Sequence, residues 1–359
     1  MNDPLISTLD ALADPDRYDA VIDVRSPSEF NEDHLPHALS CPVLDDEERA
    51  RVGTLHKQHS AFEARRVGGA LAARNIARHV ETVFADHPRE WSPLIYCWRG
   101  GQRSRSFTHV LREIGWRAEQ LEGGYRAYRR RVIDDLALLP AEFSFRVICG
   151  RTGCGKSRLL RELSTLGAQV LDLEALAAHR GSVLGDLPDA QQPPQKLFES
   201  RVWNALRRFD RAQPVFIEAE SKRIGVVHVP DALIARMRAA PTLRLEASVA
   251  TRTRLLIDEY RHLIDDTPRL LARIECLRAL HSTATIAHWR ALIDARDWDT
   301  FVATLLAQHY DSAYDRSMFR NYAGHVDAPV VELAGIEASA VRAAARAMLD
   351  VSSTLALAA

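Results

Sequence analysis

Cysteine is scarce in this sequence, and no two cysteines have the Cys-x-x-Cys spacing. The 359 residues contain five cysteines, an odd number, spread from Cys41 to Cys276. This pattern indicates neither a disulfide framework nor a zinc knuckle. It favours a reducing, cytoplasmic setting, in which an exposed thiol stays reduced and can do chemistry.

Long apolar stretches are also missing. No run of 18 or more apolar residues occurs, which argues against a membrane-spanning helix. The first twenty residues carry acids and two prolines but no continuous apolar segment, so no signal peptide is expected. With 47% hydrophobic and 26% charged residues, the composition is typical of a globular protein with two or three domains.

Net charge is close to zero, but the charges are unevenly distributed. The formal charge of the chain is −1, whereas residues 97–161 contain fourteen Lys or Arg and six acids, a local excess of +8. Such a segment can bind a polyanion even in a neutral protein, although solvated helix faces would also explain it.

Short apolar runs alternate with helical patterns through much of the chain. Residues 19–24, 94–97, 145–149 and 215–217 are typical of buried parallel strands, which predicts an α/β fold with helices on both faces of each sheet. Helices are expected over about 45–85, broken at Gly68–Gly69, over 104–114 and over 156–166. The chain beyond about residue 230 is predicted to be mostly helical.

A connector is expected at 134–142, where Pro140 closes any preceding helix. We therefore predict a first domain over 1–133, a linker over 134–143 and a second domain over 144–359.

The loop that follows strand 94–97 carries a candidate nucleophile. Cys97 comes directly after the strand and directly before a helix, and the intervening loop is short and glycine-rich. In that geometry backbone N–H groups at a helix N-terminus converge on the sulfur and favour negative charge there. Arg99 and Arg103 add cations, so a thiolate, persulfide or perselenide is expected at this position. The predicted anion cradle consists of Trp98, Arg99, Gly100, Gly101, Gln102 and Arg103.

A phosphate-binding loop follows strand 145–149. The pattern GxxxxGK[ST] is met by Gly150, Arg151, Thr152, Gly153, Cys154, Gly155, Lys156 and Ser157. With a strand before it and a helix after it, this motif predicts backbone N–H groups and a lysine around phosphate oxygens, with Ser157 as a ligand of Mg²⁺. Cys154 is interpreted as a packing residue. A diphosphate or polyphosphate is predicted here, but not its hydrolysis.

The strand at 215–217 ends without the aspartate that usually holds Mg²⁺ in nucleotide hydrolases. Glu218 and Glu220 follow it instead. Both are candidates for binding magnesium or acting as an acid. The absence of the aspartate argues against a small-molecule kinase.

Residues 1 to about 132 resemble a rhodanese domain. Asp23-Val24-Arg25 with Pro27, Glu29 and Phe30, followed by His34-Leu35-Pro36-His37-Ala38, is similar to the first rhodanese signature. Asp33 and His37 stand where glycines are common. Residues 121–125 (LEGGY) resemble the second signature. The resemblance implies that Cys97 is the nucleophile and that Asp23 and Arg25 form a structural pair.

The order of the two domains and the loop CWRGGQRS are similar to the tRNA 2-selenouridine synthase family. Residues 218–221 (EAES) and 309–311 (HYD) fit the same family. The resemblance implies a rhodanese-like domain followed by a P-loop NTPase-like α/β domain with a largely helical C-terminal part.

The activity implied by this family converts 2-thiouridine at the tRNA wobble position to 2-selenouridine. It proceeds through S-geranyl-2-thiouridine and uses geranyl diphosphate and selenophosphate as co-substrates, with Mg²⁺ but no tightly bound cofactor. Cys97 would carry selenium as a perselenide, and the P-loop would hold the diphosphate. The partner would be the anticodon stem-loop of tRNA, with candidate contacts at Arg126, Arg129, Arg130 and Arg131. A cytoplasmic protein is implied, and a monomer is favoured.

Other functions stay open at this point. The chain could be a rhodanese-type sulfurtransferase that its P-loop regulates, or a small-molecule kinase with a sensory rhodanese domain. A tRNA-binding protein without catalysis would not need a thiolate at a helix N-terminus.

Overall fold

A computed structural model of the chain describes residues 5–6, 11, 17–182, 184–188 and 190–357. The chain forms two compact units. The first contains Met1–Asp135 and Pro193–Asn204, and the second contains Leu136–Gln192 and Ala205–Ala359. The α/β prediction is confirmed for both units, each of which is built on a parallel sheet.

The sheet of the first unit has five strands in the order β1-β5-β4-β2-β3, all parallel. The strands are β1 (Leu5–Ile6), β2 (Ala20–Asp23), β3 (Ala38–Ser40), β4 (Pro93–Tyr96) and β5 (Glu119–Leu121). All four residues of β4 are buried, as expected for the central strand of a covered parallel sheet.

Five helices belong to this part of the sequence. They are α1 (Pro27–Glu32), α2 (Asp46–Gln58), α3 (Ala61–Thr82), α4 (Gln102–Ile114) and α5 (Gly124–Leu138). Gly115 ends α4 in a left-handed conformation with φ of 110°, as its position after the apolar repeat predicts.

The predicted helical break at Gly68–Gly69 is wrong. The chain breaks instead at His59 and Ser60, where the Ser60 hydroxyl accepts a hydrogen bond from the Glu63 N–H and caps α3. A Cβ at Gly68 would lie 3.2 Å from a methyl group of Val52 in α2. Gly68 therefore allows α2 and α3 to pack closely, and it interrupts neither helix.

Aromatic side chains fill the core of the first unit. Phe84 contacts Trp91 at 5.0 Å between ring centroids and Phe107 at 6.0 Å, and Trp116 packs edge-on against Trp91 at 5.1 Å. This cluster lies around the buried residue Ile95 of β4. The strand that delivers Cys97 is therefore fixed in a rigid core.

Asp23 and Arg25 form a fully buried ion pair, so their predicted structural role is confirmed. Arg25 donates to both carboxylate oxygens of Asp23 at 2.6–3.0 Å and to the carbonyl of Asp33 at 2.6 Å. Its guanidinium lies 4.0 Å from the ring centre of Tyr125. Tyr96 donates its hydroxyl to Asp23 at 2.7 Å, so the buried carboxylate is well satisfied.

Residues 193–204 pack within the first unit although they lie far along the sequence. Trp203 donates its indole N–H to Asp135 at 2.8 Å and packs edge-on against Tyr128. Lys196 lies 3.0 Å from the carboxylate of Glu32. Nothing in the sequence predicted this segment as part of the first unit.

The sheet of the second unit has the order β12-β11-β6-β8-β7, again all parallel. Its strands are β6 (Phe145–Cys149), β7 (Gln169–Leu171), β8 (Val215–Glu218), β11 (Thr242–Glu246) and β12 (Val330–Glu332). A separate antiparallel ribbon joins β9 (Arg223–Ile224) to β10 (Val227–His228).

Helices cover this sheet and form the C-terminal region. They are α6 (Lys156–Thr165), α7 (Leu173–Ala177), α9 (Asp231–Ala239), α10 (Val249–Glu259), α11 (Arg261–Asp265), α12 (Thr267–Glu275), α13 (Thr283–Asp294), α14 (Trp298–Leu305), α15 (Ser312–Asn321) and α16 (Ala338–Leu357). The remaining helix, α8 (Gln195–Leu206), lies almost entirely in the segment 193–204 of the first unit. A π-helical turn, Leu306–Asp311, joins α14 to α15, and 3₁₀ turns occupy Leu139–Glu142, Cys276–Ala279 and Ala323–His325.

The prediction of a mostly helical chain beyond residue 230 is confirmed, but two strands lie within that region: β11 beside β6 in the sheet, and β12 at its edge. They have five and three residues, too few to stand out among the helical patterns around them. By contrast, residues 134–138 continue α5 and do not form a connector, since the helix ends only before the 3₁₀ turn that contains Pro140.

The described part of the chain contains no helix with the length and apolarity needed to cross a membrane.

Candidate functional site

Cys97 lies at the carboxyl end of the central strand β4, in the loop before α4. Its side chain is buried, with 3% exposure. The Gly101 N–H donates to Sγ at 3.3 Å, and the Ser104 hydroxyl lies 3.1 Å from Sγ. Both groups come from the first turn of α4 or the residue before it. The sulfur therefore lies among hydrogen-bond donors at a helix N-terminus, where negative charge is favoured.

A glutamine that the sequence analysis missed holds the loop in shape. The side-chain amide of Gln120, in β5, donates to the carbonyl of Gly100 at 2.6 Å and to the hydroxyl of Ser104 at 2.9 Å. Because that hydroxyl accepts from Gln120, its single proton can go either to the Gly101 carbonyl at 3.3 Å or to Cys97 Sγ at 3.1 Å. The only sequence signal for this role was a polar residue within the short strand β5.

The second rhodanese-like signature packs directly on the cysteine loop. The Tyr125 N–H donates to the carbonyl of Cys97 at 2.8 Å. A Cβ at Gly124, where φ is 55°, would overlap that carbonyl oxygen, and a Cβ at Gly100 would lie 2.8 Å from the carbonyl of Leu121. Only glycine allows the two backbones to approach this closely.

The other predicted cradle residues lie around the mouth of the loop. Trp98 is 38% exposed and stacks on Tyr125 at 5.2 Å. Arg99 is exposed, whereas Arg103 donates to Glu29 at 2.9 Å. Burial acts to raise the pKa of Glu29, but the hydrogen bond from Arg103 outweighs it and holds this pKa below its usual range. The roles of Trp98, Arg99, Gln102 and Arg103 toward an anion stay predictions.

The four arginines proposed for tRNA contact lie on α5 but in different environments. Arg126 and Arg130 are exposed. Arg131 pairs with Asp135 at 2.7 Å. Arg129 is largely buried, pairs with Glu199 and donates to the carbonyl of Lys196. Arg129 is thus engaged inside the unit, while Arg126 and Arg130 present free surface charge.

The P-loop of the second unit connects β6 to α6, as predicted. Gly153 and Gly155 have φ of 78° and 86°, the left-handed conformation that the turn requires. Lys156 donates to the carbonyl of Gly150 at 2.7 Å, and the Gly150 N–H donates to the hydroxyl of Tyr314 at 2.5 Å. Cys154 is fully buried, and burial raises the pKa of its thiol, as suits a packing residue.

Carboxylates at the ends of β7 and β8 surround the lysine. Ser157 donates to Glu174 at 2.9 Å, and the Glu174 N–H donates to Glu218 at 2.9 Å. Glu218 is fully buried, and its second oxygen has no hydrogen-bond partner. The sequence analysis named Glu218 and Glu220 but missed Glu174, whose only signal was an acid just after the strand β7.

Burial and mutual repulsion shift the pKa values of this group. Burial raises the pKa of Glu220 to about 8, and the neighbouring Glu174 adds to the rise. The pKa of Glu218 is raised for the same two reasons. Burial acts to lower the pKa of Lys156, but Cys154, Tyr314 and Glu174 outweigh it and the net shift is upward. The cleft thus contains a lysine whose charged form is favoured beside carboxyl groups whose neutral forms are favoured.

A buried arginine outside the motif supports the P-loop. Arg252, on α10, donates to the carbonyl of Thr152 at 2.9 Å and makes a bidentate pair with Asp311 at 2.5 and 3.0 Å. Asp311 ends the π-helical turn, which accounts structurally for one residue of the HYD motif. Arg151 pairs with Asp315 at 2.7 Å.

The oxygen donors in the cleft fit a magnesium ion that arrives with a diphosphate. No cluster of three or more His, Cys, Asp or Glu arranged for a metal occurs among the described residues. Mg²⁺ usually binds through one or two carboxylates together with substrate phosphates. Ser157, Glu174 and Glu220 line the cleft and would supply the protein ligands.

Together these two units define a class: a rhodanese-like domain with a loop cysteine, joined to a P-loop α/β domain. A rhodanese-like domain model matches residues 6–131, and a model described as the tRNA 2-selenouridine synthase AAA domain matches residues 143–269.

Curated relatives make the assignment specific. Proteins named tRNA 2-selenouridine synthase from Nitrosomonas europaea and Alcanivorax borkumensis are 34% and 36% identical over 67% of this chain. These alignments span 63% and 66% of the relatives' own lengths. The protein of that name from Hydrogenovibrio crunogenus is 31% identical over 86% of this chain and 93% of its own length. The chain belongs to the tRNA 2-selenouridine synthase family.

Replacing Gly124 with alanine should destabilise the first unit, because the new methyl group would overlap the Cys97 carbonyl in a left-handed backbone conformation. We expect a loss of about 2–4 kcal/mol in the free energy of unfolding, measured by urea denaturation. Gly69→Ala is the matched control, since Gly69 is exposed in α3 with open space around it. It should change stability by no more than about 1 kcal/mol, in the stabilising direction. Equal losses for both variants would contradict the packing argument.

Raising the pH from 7 to 9 should weaken binding of inorganic diphosphate in the absence of divalent cations. With a pKa of about 8, raised from 4.5, Glu220 is mostly neutral at pH 7 and charged at pH 9. The added charge should cost on the order of 1 kcal/mol, about a fivefold loss of affinity by calorimetry. Glu220→Gln should lack this step and keep only the titration of the ligand itself. An identical pH profile in both proteins would exclude Glu220 as the cause.

The raised pKa of Glu220 also makes the stability of the folded protein depend on pH. Since the folded protein holds this proton more tightly than the unfolded chain, the contribution of Glu220 to stability falls as the pH rises from 4.5 to 8.

Proposed function

We propose that this protein converts 2-thiouridine at the wobble position of tRNA to 2-selenouridine through an S-geranyl intermediate. The observation that carries the proposal is the presence of two built anion sites on one chain, a P-loop cleft with Lys156 and a helix N-terminal loop with Cys97. The names of the relatives support the tRNA and selenium parts of the proposal.

In the first step, the thione sulfur attacks C1 of geranyl diphosphate. The S–C1 bond forms, the C1–O bond breaks, diphosphate leaves, and the N3 proton of the base passes to solvent. Lys156 and the N–H groups of the P-loop would stabilise the charge that develops on the leaving diphosphate. Alkylation makes C2 electrophilic and turns the sulfur into a group that can depart. Mg²⁺ held by Ser157 and Glu174 would add further charge stabilisation when bound.

In the second step, a perselenide on Cys97 attacks C2 of the geranylated base. The Se–C2 bond forms and geranylthiolate leaves. A small thiol then attacks the sulfur of Cys97, breaks the S–Se bond, and releases 2-selenouridine with a mixed disulfide on Cys97. Selenide, released as the P–Se bond of selenophosphate is hydrolysed, displaces the thiol from that disulfide and restores the perselenide. The cycle consumes no net oxidant or reductant.

The loop of Cys97 suits this task physically. The Gly101 N–H and the Ser104 hydroxyl lie at the sulfur, where they would stabilise a terminal selenium anion. Arg99, exposed beside the loop, would attract selenophosphate, and Arg126 and Arg130 would contact the tRNA backbone.

Cys97→Ala should abolish selenation and leave geranylated tRNA to accumulate, because the first step does not use this thiol. We expect 2-selenouridine to fall at least about a hundredfold. The measurement is mass analysis of wobble nucleosides after thiolated tRNA is incubated with geranyl diphosphate, selenophosphate and a thiol. Cys276→Ala, which removes an exposed cysteine, is the control and should behave as wild type. Normal 2-selenouridine from the Cys97 variant would refute the role of this residue.

Lys156→Ala should impair geranylation first, since the lysine faces the developing charge of the diphosphate. A loss of about a hundredfold or more in geranyl transfer is expected from the same nucleoside assay without selenophosphate. When supplied with tRNA that is already S-geranylated, this variant should still form 2-selenouridine. Unimpaired geranyl transfer would remove the P-loop from the prenyl-donor site. Lys196→Ala, on an exposed lysine of α8, serves as the matched control.

A further inference from the structure

A second cavity in the C-terminal region of the second unit has a different character from the P-loop cleft. Its walls are almost entirely apolar. Helices α10, α11, α12 and α14 and the π-helical turn form it. Leu263, Phe301, Val302 and Leu305 are among the lining residues and are all buried.

The two cavities share a wall. Thr152 of the P-loop, Leu256 of α10 and Tyr260 line both the apolar pocket and the P-loop cleft. The contact is tight, because a Cβ on Gly153 would lie 2.8 Å from Leu256. A ligand whose diphosphate occupies the P-loop could therefore place the rest of its structure in the apolar pocket.

Polar groups are present on the phosphate side of this wall. Arg180 lies over the ring of Tyr260 at 4.8 Å and donates to the carbonyl of Glu259 at 2.6 Å. It lines the P-loop cleft but not the apolar pocket. The hydroxyl of Tyr260 lies 3.3 Å from that of Ser182. Beyond Tyr260 the lining turns to Leu, Ile, Val and aromatic side chains.

The chemistry of the apolar pocket selects among ligands that carry a diphosphate. A nucleoside would bring ribose hydroxyls and base edges into a space with few polar partners, and unsatisfied polar groups are costly to bury. A branched hydrocarbon chain would meet only surfaces that favour it. The pocket therefore suits an apolar chain attached to the diphosphate.

We propose that this pocket binds the isoprenyl chain of geranyl diphosphate and limits its length. The inference rests on the proposed function for its choice of ligand. Phe301, which is buried and packs edge-on against Trp298 at 6.5 Å, restricts the space available to a longer chain. Val302 and Leu305 line the pocket without touching the P-loop cleft.

Calorimetry with inorganic diphosphate, geranyl diphosphate and farnesyl diphosphate tests the assignment on the full-length protein. Wild type should bind geranyl diphosphate at least about a hundredfold more tightly than inorganic diphosphate, because only the former fills the pocket. Val302→Phe should lose at least about tenfold in affinity for geranyl diphosphate. Its affinity for inorganic diphosphate should stay within about twofold, which also shows that the P-loop unit is folded.

Two further variants sharpen the test. Phe301→Leu enlarges the pocket and should improve farnesyl diphosphate relative to geranyl diphosphate by about tenfold. Val226→Phe makes the Val→Phe change on an exposed turn and should leave all three affinities unchanged.

The outcomes separate this inference from the proposed function. If geranyl diphosphate binds no more tightly than inorganic diphosphate, or if Val302→Phe weakens both equally, the pocket is not the chain site, even when geranyl transfer to tRNA is observed. Tight, Val302-dependent binding without any transfer to thiolated tRNA would support the pocket and overturn the proposed function.

Discussion

The hydrogen bond from the Tyr125 N–H to the Cys97 carbonyl joins the loop that carries Cys97 to the start of α5. This contact is possible because Gly124 has no side chain where the two backbones meet. It fixes the peptide that carries Cys97, while the side-chain amide of Gln120 fixes Gly100 and Ser104 by hydrogen bonds. The side chain of Tyr125 then extends the support, since it stacks under Trp98, covers Arg25 and donates to Asp33 at 2.9 Å. The position of one sulfur atom thus depends on a backbone contact and on the buried Arg25–Asp23 pair beneath it.

The second unit solves a related problem with charge. Its P-loop combines a lysine with a glycine-rich turn, the arrangement that suits a ligand with several negative charges, yet Glu174 and Glu220 act on that lysine. Burial and neighbouring carboxylates raise the pKa of Glu218 and Glu220 and so favour their neutral forms, which makes the cleft less negative than a count of its acids suggests. Arg252 and Asp311 hold the loop from its other side.

The sequence predicted the features that depend on local patterns. Strand, loop and helix around Cys97 and around Lys156 follow from an apolar run, glycines and a helical repeat, and these agree with the structure. The strands β11 and β12 were missed because five and three residues are too few to stand out in a region where helical patterns prevail. Glu174, Arg252 and Tyr314 were missed because only the tertiary fold brings them to the P-loop. The apolar pocket could not be predicted, since its lining comes from segments spread between Thr152 and Tyr310. His37 is instructive: its φ of 59° shows that this position keeps the conformation of a glycine although the residue has changed.

The segment 193–204 has a consequence for how this protein can be taken apart. The chain leaves the first unit after Asp135, returns to it for Pro193–Asn204, and then leaves again. A fragment that ends at residue 135 would expose the ring of Tyr128, which packs against Trp203, and would deprive Arg129 of Glu199. The chain therefore passes between the two units more than once, and no single cut in the sequence separates them. A rhodanese-like domain exchanged at residue 135 alone would therefore lack the residues 193–204 that complete it.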